Sequence, residues 1–597
     1  MKNLKKSPTT LECMEDGSPP TQAPSLLALT PLLWLLIPIL GGYSVAERLR
    51  IDGYLLWLLL SVGFFALGLA YFIFRSRPKD KSSLQPCRLK TLAQLGLLLG
   101  LSLLSFVYAS YRRPPDPSFN MAVSKELTLS LRIDRLFSPS KFYISGLGYI
   151  HSDEPYLEDI QTQPVYFRAS KKANPYALAQ PQLFLKTSLI QTKGVLRSIA
   201  EPKNDFERFL KDQNIAMCLD HCRFEEVLEA PSPFMQWCET TAQKLEQNLK
   251  AGSDPAYSPI YTAMVLGRKG ELAAETKRLF TLSGTMHIFA ISGLHIGIVA
   301  GGLFYLGKLL KQNPYAPLWL CKKAVCVGAM LLGLGIVYLY VGITGFAPSA
   351  ERAFAMLSLS SFAYAVRRQT QLLGLLVAAA TLMLLWKPLY LQNLGFQLSF
   401  AAVGGIALYG LPLGTCLAEQ LGLEGLDPSQ MPSGAYALLK RVLNSILAWL
   451  IKAFCLSLGA SLACAPLCMQ YFKILAYGGI GINILLLPMA SASVLLGAAS
   501  SILSCLHLQA ISLHLNALAT MLISLMEAWI RLCLKLPAMY GVVENFKHPA
   551  GPVGLGLILA SMLCIHSNTS WSKKLIAYAL PLLVFFSLYA LALLNYQ

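Results

Sequence analysis

Apolar and polar positions follow two regimes along this chain. Long apolar runs, each near the ~20 residues a helix needs to cross hydrocarbon, occupy 26–46, 53–74 and 91–110. From His287 they resume at 287–307, 317–343, 347–366, 370–387, 391–411, 441–471, 475–505, 508–535, 552–567 and 574–595. These runs predict a polytopic, mainly α membrane protein with about 11–13 transmembrane helices. The runs 441–471 and 475–505 are long enough to hide a break or a re-entrant piece.

Over 115–230 the period changes. Glu126 to Asp134 alternates, with Leu127, Leu129, Leu131 and Ile133 on one face, the pattern of a half-buried strand. Short extended runs follow at Phe142–Ile144, Val165–Phe167, Leu183–Leu185, Val195–Leu196 and Ile215–Leu219. This stretch predicts a small β-barrel or sandwich. Residues 236–250 read as an amphipathic surface helix and 257–285 as a mixed, interfacial segment.

Composition narrows the class. Of 597 residues 54% are hydrophobic and 14% charged, at a mean hydropathy of +0.50. An ordinary soluble chain is nearer ~25% charged, so a soluble enzyme, a disordered chain and a disulfide scaffold are excluded. The net charge of +18 is in part topological, because Lys and Arg collect in cytoplasmic loops. Arg75, Arg77, Lys79, Lys81, Arg88 and Lys90 crowd the second loop. They place the N-terminus in the cytoplasm and 115–230 outside it. Lys308/Lys311/Lys322/Lys323, Arg367/Arg368, Lys440/Arg441 and Lys573/Lys574 fall in alternate later gaps, as that topology demands. The polar first 24 residues lack the form of a secretory signal, so the run after them reads as a retained span. Most of the 14 Cys lie in apolar segments and read as small hydrophobes. Cys218 and Cys222 are a possible disulfide across a hairpin of the outer domain.

Candidate chemistry is sparse. From residue 287 onward the acids are Glu351, Glu419, Glu424, Asp427, Glu527 and Glu544. Glu527 stands four residues before Arg531, a pairing distance on a helix. That leaves Glu351 as the one plausible ion-coupling residue for a secondary transporter or lipid-linked flippase. The His residues lack HxH and HExxH spacing, and GxSxG and GxxxxGK[ST] are absent, so no catalytic residue, metal or cofactor is expected.

Four polar interruptions stand out. The first is His287 to Gly297, HIFAISGLHIG. On one helix His287 and His295 would lie about 80° apart, facing one polar seam or serving as satisfied packing groups, with Ser292 and Gly293 permitting close packing or a break. In the second, Thr344 to Arg352, Pro348-Ser349 reads as a helix start with Ser349 as cap. Arg352 is then in the first turn, snorkelling, paired with Glu351 or lining a path. The third, Asn393, Gln397 and Ser399, either bonds a neighbouring helix or lines a wet cavity. The fourth runs from Gly478 through Asn483 to Pro488, a Gly/Pro-interrupted segment of the kind that unwinds at transport paths.

Together these segments resemble the ComEC family of DNA-uptake channel proteins. HIFAISGLHIG matches its ISGLH signature, GFQLSFAAVGG its GFQLSF motif, TGFAPSAERA its TGF/Pro/Ser/Arg segment and INILLLP its Asn-to-Pro run. VLGRKGEL resembles the stretch before the signature, and EPKNDFERFLKDQNIAMCL the close of the family's OB-like domain. The likeness covers roughly 30–530. It implies a cytoplasmic-membrane channel passing one DNA strand while the other is degraded. The C-terminal metallo-β-lactamase-like nuclease domain of many relatives is expected to be missing, since HxHxDH is absent. A separate nuclease, a DNA receptor and a cytosolic ATP-driven motor are the implied partners, with single-stranded DNA and membrane lipid.

The chain then divides into a cytoplasmic polar N-terminus (1–25), N-terminal transmembrane helices (26–110), an inserted OB-like extracytoplasmic barrel (115–230), an amphipathic or interfacial linker (231–286) and a polytopic channel domain (287–595). The resemblance assigns His287, Ser292, Gly293, His295, Gly345, Pro348, Ser349, Arg352, Asn393, Gln397, Ser399 and Asn483 to the DNA path. In the outer domain Lys171, Lys172, Lys186, Lys193, Arg197, Lys203, Arg208 and Lys211 form either a DNA groove or a solvated face. Tyr166, Phe167 and Phe184 are candidates to stack on bases.

Overall fold

The structure is a computed structural model. It describes residues 33–48, 99–108, 126–137, 143–151, 164–174, 183–199, 205–212, 217–291, 323–366, 371–423, 435–543, 550–563 and 571–594, with isolated residues between these stretches. The expected span 53–74 and Lys203 lie outside the described residues.

Helix α1 (Leu33–Arg48) and the apolar helix 99–108 meet at Tyr43 and Tyr108, whose rings stack at 6.4 Å. Their hydroxyls donate to the carbonyls of Leu384 and Leu385 at 3.2 and 2.7 Å, which ties the N-terminal helices to the later bundle.

Strands β1 (Glu126–Leu136), β2 (Tyr143–His151), β3 (Pro164–Ser170), β4 (Leu189–Ser198) and β5 (Met217–Glu229) close into a barrel in the order β1-β2-β3-β5-β4. β3 and β5 run parallel, and the other pairs antiparallel. The alternation read in β1 holds, since Leu129, Leu131 and Ile133 point into the core. Leu183–Leu185 is not a strand: β4 starts at Leu189, and 183–188 is a turn that drives Phe184 into the barrel against Phe224 at 5.2 Å. Helix α2 (Asp205–Asp212) crosses between β4 and β5, covering Tyr166, Ile199 and Cys218.

After the barrel come α3 (Pro233–Lys250), α4 (Ser258–Leu266) and α5 (Ala274–Leu282). Every α4 residue except Pro259 is buried, packed against α6 (Lys323–Ile343) through Tyr340 and against the long helices described below. The 257–285 segment is therefore bundle core in part, not only interfacial. A short, mostly apolar helix that carries no charged residue is buried on all sides.

The remaining helices are α7 (Pro348–Ala365), α8 (Leu372–Trp386), α9 (Leu394–Gly405), α10 (Leu411–Gln420), α11 (Ala435–Tyr471), α12 (Gly479–Cys505), α13 (Gln509–Leu534), α14 (Ala550–Leu563) and α15 (Trp571–Leu594). Among the described residues four stretches are long and apolar enough to cross a membrane: Leu394–Gln420, Leu439–Tyr471, Gly479–Cys505 and Gln509–Leu534. The run read as 391–411 continues to Gln420 through a π-helical turn at Ile406–Gly410. No break interrupts α11 or α12. α12 passes through Pro488 as one helix, so the expected unwinding is absent. Two-residue strands β6 (Ile474–Leu475) and β7 (Gly541–Val542) pair beyond the end of α11.

Tight backbone approach holds the bundle centre. A Cβ on Gly405 would sit 2.2 Å from the Gly459 carbonyl oxygen, and one on Gly459 2.6 Å from that of Gly405. Such small-residue contacts let helices associate in lipid, where apolar surface gives no drive. Gly459→Ala should therefore destabilise the detergent-solubilised protein by about 1–3 kcal/mol, read as a lower thermal midpoint. Gly481→Ala, whose added methyl meets nothing within 4 Å, should leave that midpoint unchanged or raise it.

Candidate functional site

The α6–α7 reversal begins the site. Gly345 takes φ +83 and Phe346 φ +54; glycine suits the first, whereas a bulky ring there is uncommon and held by its surroundings. The Phe346 amide closes the α6 end on Val341 O at 3.0 Å, and Pro348 opens α7 with Ala347 as N-cap. Ser349 is thus not the cap. Its Oγ donates to Ile291 O at 2.6 Å, pinning the ISGLH segment to α7.

One turn on, Arg352 turns inward and is 5% exposed. Its Nη1 donates to Ser399 O on α9 at 2.6 Å, and its guanidinium lies 5.7 Å from the Phe400 ring. Nη2 sits 3.7 Å from where a Cβ on Gly293 would be, and Nε has no hydrogen-bond partner. Beside it Cys464 of α11 donates to Leu398 O at 3.5 Å. Glu351 faces elsewhere and accepts from the Tyr390 hydroxyl at 2.6 Å. Among the described residues no carboxylate pairs with Arg352, which neither snorkels nor bonds Glu351. A buried cation without a counter-ion is costly.

The other path residues divide. Ala290 is extended after a 3-10 turn at Met286–Phe289, so His287 and His295 do not share a helix and the 80° relation fails. His287 is exposed, with Nδ1 3.3 Å from Gly284 O. His295 is buried and hydrogen-bonds the Met264 backbone. Asn393 is the N-cap of α9, accepting from Phe396 N at 3.1 Å, and Gln397 Nε2 donates to Leu391 O at 2.7 Å. Asn483 donates to Ser457 Oγ at 3.2 Å. Ser457 and Cys464 are seven residues apart, on one face of α11 about 10 Å along it. Ser292 lies outside the described residues. Arg352, Gly293, Ser349 and Ser399 are brought together; Asn393 and Gln397 serve the local turn, and Asn483 makes a separate contact.

In the barrel much of the basic set is already engaged. Lys193 meets Glu225 at 2.5 Å. Arg197 forks between Glu207 at 2.7 Å and Asp220 at 3.2 Å, and its hydrogen bonds to Glu207 above all hold its pKa above the ordinary guanidinium value. Lys186 lies 5.4 Å from the Phe346 ring. Lys171 and Lys172 sit on the turn after β3, and Arg208 and Lys211 are exposed on α2. Phe167 and Phe184 belong to the barrel core, so neither can stack on a base. Tyr166 is covered edge-on by Phe206 at 5.2 Å. Sequence reasoning missed the chain that continues from there, Phe206 to Phe209 at 6.3 Å and Phe209 to Tyr471 of α11 at 6.1 Å. The aromatic–basic alternation of DFERFLKD was its only signal.

A family profile described as "Competence protein" matches residues 264–569, more than half the chain. The chain belongs to the ComEC competence-protein family. The match contains Arg352, Gly293, Ser399 and Asn483. Among curated relatives, this competence protein is 25% identical over 312 residues to ComE operon protein 3 of Bacillus subtilis, covering 52% of this chain and 34% of that one. It is 24% identical over 257 residues to Recombination protein 2 of Haemophilus influenzae, covering 42% and 29% respectively. An uncharacterized Aquifex aeolicus protein is 28% identical over 162 residues, 27% of this chain and 35% of its own. Each match thus spans about a third of the relative's length. No solved structure matches.

The two barrel thiols are free. Both stand on β5, and four residues at ~3.3 Å each exceed the ~7 Å a disulfide allows. Burial pushes both thiols up, with Asp220 adding to the effect at Cys218. Alkylation at pH 8 should therefore be more than about tenfold slower at Cys218 and Cys222 in the folded protein than after denaturation. Peptide mapping by mass spectrometry checks this.

Proposed function

We propose that this protein passes single-stranded DNA across the cytoplasmic membrane during DNA uptake. Its family ties it to uptake in transformation, and the observation that carries the finer reading is Arg352. A guanidinium buried among three motif segments, with an unsatisfied Nε and, among the described residues, no acid paired with it, is a group suited to binding phosphate. The acid-poor helices around it would not repel a polyanion. The barrel stands outside the membrane and the N-terminus inside, and the protein acts as a conduit, not an enzyme. A DNA receptor, a separate nuclease and a cytosolic ATP-driven motor complete the system. The secondary-transporter alternative needs Glu351 as an unpartnered carboxylate, whereas the Tyr390 hydroxyl already donates to it.

Deleting the gene should abolish entry of labelled DNA into the cytoplasm while surface binding persists; unchanged transformation refutes the reading. Arg352→Ala should cut uptake at least about tenfold at equal membrane abundance, with Arg352→Lys intermediate because a point charge replaces a fork.

A further inference from the structure

Where the barrel meets the bundle lies a cavity of about 490 Å³ that the Arg352 site does not use. That volume falls in the ~300–1,000 Å³ range of small-ligand sites. Its walls come from four places: the turn before β4, the start of α3, the α6–α7 reversal and the end of α8. The barrel turn is fixed there, because Thr187, at φ +79, accepts from the Ser232 amide at 3.1 Å.

The lining combines two cations with aromatic faces. Lys186 lies 5.4 Å from the Phe346 ring and Lys387 5.7 Å from the Tyr390 ring. Among the described residues neither lysine pairs with an acid. Tyr338 meets Phe346 edge-on at 5.8 Å, and Trp386 is 74% exposed. Glu351 also lines the cavity, bonded by the Tyr390 hydroxyl, so two positive charges outweigh one negative. An indole at a helix end often marks a bilayer interface. Here the neighbouring lysines and the overlying barrel turn set a different task. Flat faces for bases beside ammonium groups for phosphates are how single strands are held without regard to sequence.

We propose that this junction cavity binds one nucleotide unit of single-stranded DNA, its base against Trp386 or Tyr338 and its phosphate between Lys186 and Lys387. The inference rests on the DNA-passage reading and locates a docking step between barrel and bundle.

Full-length protein in nanodiscs, titrated with fluorescent oligo(dT) at several salt concentrations, tests it. Lys186→Gln/Lys387→Gln should weaken binding and flatten the log K against log salt slope by about 0.7, the value for one phosphate on a single strand. Trp386→Ala should weaken binding about tenfold, and Trp386→Phe much less. Wild-type affinity and slope in these variants, at normal membrane abundance, overturn the cavity proposal while Arg352→Ala still blocks uptake and the channel reading stands. Loss of anionic-lipid retention with unchanged oligonucleotide affinity also overturns it, assigning the cavity to a headgroup. If even the wild type neither binds DNA nor supports uptake, the channel reading itself fails.

Discussion

A single guanidinium–carbonyl contact, Arg352 to Ser399 at 2.6 Å, organises the polar part of this membrane domain. In lipid each polar group must find a protein partner or water. Arg352 can remain inside because Gly293 leaves room beside it, α9 lends a carbonyl and Phe400 offers a ring face. The same turn of α7 uses Ser349 to hold Ile291. Three segments far apart in sequence are thus fastened at one point, and among the described residues no acid compensates the charge there.

Much of the architecture was legible in the sequence. The signal for spans is strong because hydrocarbon demands length and apolarity together, and α11, α12 and α13 lie close to the expected runs. The barrel was legible from the two-residue period of β1. What failed depended on local geometry that periodicity does not encode. Phe184 reads like a strand residue, yet it plugs the barrel from a turn. The ISGLH segment reads as one helix, yet the chain extends at Ala290. Pro488 and its glycines suggest unwinding, but α12 continues.

The site was legible by residue type and less so by role. Arg352, Ser349 and Gly293 were identified and do meet. Asn393 and Gln397 carry the same polar signature but serve as cap and turn bond, a distinction visible only once the helix start is known. Phe206, Phe209 and Tyr471 were missed because their relation spans more than 260 positions, and no local pattern foretells such a pairing. The basic barrel likewise looked more available than it is, since Lys193 and Arg197 already hold acids.

The Gly405–Gly459 contact has a mechanical corollary. Two backbones touching without side chains between them cannot slide or separate a little without losing the whole interface, so α9 and α11 behave as one stiff pillar. Any widening of the bundle must come from neighbours swinging away from that pillar. The aromatic links from α2 to Tyr471 join the barrel to its end, where a tilt of the barrel would be felt as a lever.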